Sequence, residues 1–73
     1  MTKEGKEAVK YFKLACEVII DRMKHAEKWG ETEIVNECIE LLKEQKEKAS
    51  NMYEKEVREE MLKFFENVSR ETL

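Results

Sequence analysis

The chain has 73 residues, 42% charged and 41% hydrophobic, with no proline, two glycines and a net charge of −3. That length allows one domain with a small core, and the supply of large apolar side chains excludes a disordered chain. Nucleic acid is not expected as a partner, because a polyanion binder needs a basic excess to displace counterions.

The charged residues are biased in kind. Sixteen of the acids are glutamates and one, Asp21, is an aspartate; lysines outnumber arginines eleven to three. Glu and Lys favour helix interiors where Asp favours caps and turns, so the bias predicts helix nearly everywhere. The longest apolar run, Val18-Ile19-Ile20, is far shorter than the roughly 20 residues of a bilayer span. No signal peptide is read at the charged N-terminus, and a cytoplasmic, reducing compartment is the default expectation.

The first predicted helix covers about 6–29. Val9, Phe12, Cys16, Ile19, Met23 and Ala26 recur at alternating spacings of three and four, the rhythm of a heptad seam. A second stripe, Tyr11, Leu14, Val18 and Trp29, falls well to one side of that seam at 100° per residue. One partner helix covers one stripe, so the first helix either touches two neighbours or leaves this stripe in water as a docking patch.

Gly30 marks a turn. It suits the residue just past a helix end, and Thr32 suits the cap of the next helix. That helix is expected over about 33–49, with Val35, Ile39, Leu42, Ala49 and Tyr53 on one line, flanked by Ile34, Cys38, Leu41 and Met52. A third apolar segment over about 52–70 holds Val57, Met61, Leu62, Phe64, Phe65 and Val68, out of phase with the second. Asn51 and Glu54 have capping-box spacing, which suggests a break near Ser50-Asn51.

Two all-α architectures follow for a single domain over 1–73. With the break, an antiparallel hairpin across Gly30 extends to a three-helix bundle. Without it, one helix of roughly 40 residues runs about 60 Å, and the long hairpin dimerises into a four-helix bundle.

The chemistry-bearing residues are sparse. Cys16 and Cys38 sit on apolar seams, where cysteine acts as a small hydrophobe. Counted from Gly30, they are offset along a hairpin by about 9 Å, beyond the roughly 7 Å a disulfide spans. His25 follows Asp21 by four residues but has no further ligand partner, so no metal is expected. Ser50 and Ser69 have no histidine in register and no glycine-rich phosphate loop exists, so neither catalytic residue nor cofactor is assigned. Glu33, Glu37, Glu40, Glu44 and Glu47 form an acidic face, whereas Lys3, Lys6, Lys10, Lys13, Lys24 and Lys28 form a basic one, interrupted by Glu17 and Asp21. No motif identifies a family; the spacing of Gly30, Val35, Ile39 and Leu42 resembles that of helical repeat modules in architecture alone.

The expected function is therefore protein–protein interaction, not catalysis. The expected partner is a second copy of the chain or another protein, and the expected contact residues are Tyr11, Leu14, Val18, Trp29, Phe64 and Phe65. The alternative is a monomeric three-helix module that accepts an amphipathic helix in a groove.

Overall fold

The computed structural model describes residues 1–72, with side chains through residue 70. Three helices follow one another: α1 (Lys3–Lys28), α2 (Thr32–Ser50) and α3 (Lys55–Thr72). Short connections reverse the chain twice, so α2 runs antiparallel to the other two and every helix touches both others. The result is a rod of 42 × 17 × 17 Å. Its long axis matches the roughly 39 Å expected of a 26-residue helix at 1.5 Å per residue.

The break between α2 and α3 exists, and the 40-residue helix does not form. Ser50 Oγ donates to the Lys46 carbonyl at 3.0 Å, a side-chain bond that competes with the helical backbone. The Asn51 N–H donates to the carbonyls of Glu47 and Lys48, at 3.1 and 3.2 Å, and closes α2. Asn51 thus ends one helix, whereas its spacing to Glu54 predicted that it would begin the next; α3 starts at Lys55 rather than 52. The Arg58 guanidinium donates to the Met52 carbonyl at 3.1 Å and ties the connection down. Breaking here folds Val57 and Met61 back into the core, where they are almost wholly buried. Each such burial is worth about 1.5–3 kcal/mol against exposure in a continuous helix.

The other boundaries have equally local causes. Thr2 Oγ1 accepts from the Gly5 N–H at 3.0 Å, so α1 begins at Lys3, one turn before the position expected from its apolar rhythm. At the far end Gly30 adopts φ +70°. The Glu31 N–H donates to the Ala26 carbonyl at 2.9 Å and the Gly30 N–H to the Glu27 carbonyl at 3.2 Å, the paired bonds of a Schellman stop. Thr32 lies inside α2 and does not cap it; Glu31 occupies the cap without a side-chain bond.

The core has two clusters along the rod. Val9, Phe12, Cys16, Ala49, Val57 and Met61 form the first, and Ile20, Met23, Cys38 and Leu42 the second. Two expectations need correction. On α1, Ile20 is buried and Ile19 only half-buried, because the helix faces two neighbours and its buried arc is broader than one heptad seam. On α2 the buried line runs through Cys38, Leu42 and Ala49, with Val35 and Ile39 half-buried, while Tyr53 is 97% exposed beyond the helix end.

Candidate docking surface

Because α2 and α3 pack on one side of α1, the opposite side stays in water. Tyr11, Leu14, Val18 and Trp29 are 64%, 47%, 66% and 65% exposed, so the second stripe of α1 is left uncovered even though the helix has two neighbours. Tyr11, Leu14 and Val18 stand at i, i+3 and i+7 and form one patch. Trp29 lies further along, its ring 6.2 Å from that of His25. Arg22 and His25 interrupt the stripe between Val18 and Trp29, and both are exposed.

The two phenylalanines have a different environment. Phe64 and Phe65 are half-buried and pack against the core. Phe64 meets Phe12 edge to face, with centroids 6.4 Å apart, and the Lys13 ammonium stands 5.6 Å above its ring. The six expected contact residues therefore fall into three places: an open patch on α1, the turn end with Trp29, and the packed face of α3, where Phe64 meets α1 and Phe65 touches both core clusters.

Grooves flank α1 on both sides. Between α1 and α3 an open groove of about 490 Å³ is lined by Lys6, Val9, Lys10, Lys13, Leu14 and Glu60, with Met1 at one end, and it continues past Lys63, Phe64 and Asn67. Between α1 and α2 a smaller one of about 330 Å³ is lined by Ala8, Tyr11, Ala15, Gln45 and Met52, among others. Leu14 thus belongs to the first groove and Tyr11 to the second. Neither groove was readable from the sequence, because both depend on where α3 returns.

The charged faces lie as their spacing implied. All five glutamates of α2 are exposed, as are the lysines of α1 apart from the half-buried Lys13. Among the described residues no charged side chain of α1 enters an ion pair, whereas α2 holds Lys43–Glu40 at 3.4 Å and α3 holds Arg70–Glu66 at 2.8 Å. These exposed pairs add little stability.

Reactive groups are few. Cys16 and Cys38 are free, buried and in different core clusters. Burial, with the nearby Glu17 charge, raises the Cys16 thiol from 9.0 to about 11, which keeps it protonated and unreactive at neutral pH. The Glu56 carboxyl is held below its ordinary range by the Met1 amino group, 2.9 Å away. Among the described residues no three His, Cys, Asp or Glu side chains gather as a metal site, and no helix is long and apolar enough to cross a membrane.

One residue was missed. Gly5 is buried against Val57. It precedes Val9 by four residues, so it lies on the first seam of α1, and a glycine there is a legible sign of close helix approach. Comparison with protein families, with curated proteins and with solved structures finds no match.

Proposed function

We propose that this chain is a small helical protein–protein interaction module, a self-associating subunit or a regulator within a larger complex. Its docking surface is the outer face of α1. The supporting observation is the uncovered stripe of Tyr11, Leu14 and Val18, with Trp29 beyond it. Large apolar side chains held at helical spacing in water gain free energy when a second helix covers them. The mechanism is contact alone, with charge fixing orientation. No catalytic step is part of this reading.

The test is the native mass. Light scattering across the micromolar range is expected to give a species heavier than 8.8 kDa, and Leu14→Glu or Val18→Glu is expected to return it to the monomer with its helicity intact. A wild-type chain that keeps the monomer mass at every concentration overturns self-association.

A second reading, a monomeric module that receives an amphipathic helix, is favoured by the open grooves on either side of α1.

A further inference from the structure

We propose that the groove between α1 and α3 is the docking site of an acidic amphipathic helix from another protein, an inference that rests on the second reading above. One wall carries Lys6, Lys10 and Lys13, at i, i+4 and i+7 along α1. Lys63 stands on the α3 side, and among the described residues Glu60 is the one acid in the lining. Among the described residues none of these four lysines has an ion-pair partner in the chain, so the groove holds unbalanced positive charge. The exposed Leu14 and the half-buried Phe64 supply apolar surface, with the buried Val9 beneath them. Lys13 is already placed, its ammonium 5.6 Å above the Phe64 ring, and this spares part of the ordering cost that a free lysine meets on binding.

The shape selects a helix. α1 and α3 run in the same direction, and the groove between them borders Lys6 to Leu14 on one and Glu60 to Asn67 on the other, so a helix laid along it can turn one apolar edge inward while its flanks meet charge. Glutamates flanking a leucine seam satisfy both demands. An extended polyanion satisfies only one, because a phosphate backbone has no apolar edge to place on Leu14 and Phe64.

The test uses a fluorescein-labelled peptide of about 14 residues, roughly 21 Å of helix, with leucines at i, i+3, i+7 and i+10 and glutamates elsewhere. Controls are the same peptide with lysine for glutamate and a scrambled sequence. Anisotropy titration of the full chain is expected to show saturable one-to-one binding of the acidic peptide that weakens with added salt. Lys10→Glu combined with Lys63→Glu is expected to weaken it at least about tenfold. Both positions are exposed, and circular dichroism of the variant checks that the fold is kept. Equal binding of the basic or scrambled peptide, or unchanged binding by the lysine variant, overturns the proposal. So does lysine-dependent binding of phosphatidylserine vesicles or an oligonucleotide that displaces the peptide. Light scattering of the chain alone separates the two readings. A monomer that binds the peptide keeps this inference and removes self-association, and a dimer that ignores the peptide does the reverse.

Discussion

Gly5 on α1 and Val57 on α3 approach so closely that a Cβ built on Gly5 would lie 2.9 Å from Val57 Cγ2. Val57 is 1% exposed and belongs to the first core cluster, so shifting its methyl disturbs other core contacts. Met1 is also 2.9 Å away, but its flexible side chain can swing aside. Alanine favours a helix over glycine by about 1 kcal/mol, yet here the overlap outweighs that gain. Gly5→Ala is expected to destabilise the fold by about 1–2 kcal/mol, read as a lower urea midpoint. Adding Val57→Ala, which removes the clashing methyls, is expected to recover the clash component while losing the contribution of Val57 itself.

Gly30 matters for the opposite reason. A Cβ there meets nothing within 4 Å, but φ is +70°. Gly30→Ala is therefore expected to cost about 1 kcal/mol through the backbone alone. Gly30→Asn is expected to cost less, because asparagine tolerates the left-handed region. Thermal midpoints of the two variants, ranked against wild type, check this. Equal losses would show that the side chain rather than the dihedral is at fault.

The buried thiol makes stability depend on pH on the alkaline side. Cys16 holds its proton to about pH 11 in the folded chain, against 9.0 for an ordinary thiol. The folded state thus binds the proton more tightly than the unfolded state. The resulting stabilisation is complete below pH 9.0 and is lost as pH rises toward about 11. Urea midpoints measured over this window are expected to fall more steeply for wild type than for Cys16→Ala, which lacks the group. Lysine titration affects both chains and cancels in the difference. At neutral pH, iodoacetamide is expected to modify Cys16 in urea but not in the native chain.

Val18 and Leu42 divide packing from docking. Leu42 is 3% exposed in the second cluster, and Leu42→Ala is expected to cost about 2–5 kcal/mol. Val18 is 66% exposed, and Val18→Ala is expected to stay within about 0.5 kcal/mol when measured on dilute monomer. Denaturation of both variants at one low concentration tests the contrast. A core-sized loss at Val18 would place it inside the fold rather than on its docking face.

Much of this fold was legible because helices announce themselves by period. Gly30 was readable as a stop, and the apolar rhythm of 9 to 26 placed most of the α1 core. What failed had a tertiary cause. Ile19 and Ile20 compete for the interior, and only the position of both neighbours decides in favour of Ile20. Asn51 carries the chemistry of a cap, but spacing alone does not say which helix it serves; the backbone bonds to Glu47 and Lys48 assign it to α2. The exposed stripe of α1 was legible as an alternative, since periodicity reveals a second apolar face without revealing whether α3 covers it. The lysine groove was not legible at all, because it joins residues some 50 positions apart, Lys13 and Lys63.

Among the described residues Phe65 alone packs against both core clusters. It is the partly buried apolar side chain common to the half nearer Gly30 and the half nearer the α2–α3 connection, while all three helices run through both. Its benzyl group is thus a rivet between the two ends: cut back to a methyl, it would leave their coupling to the helices alone, and the unfolding transition would broaden.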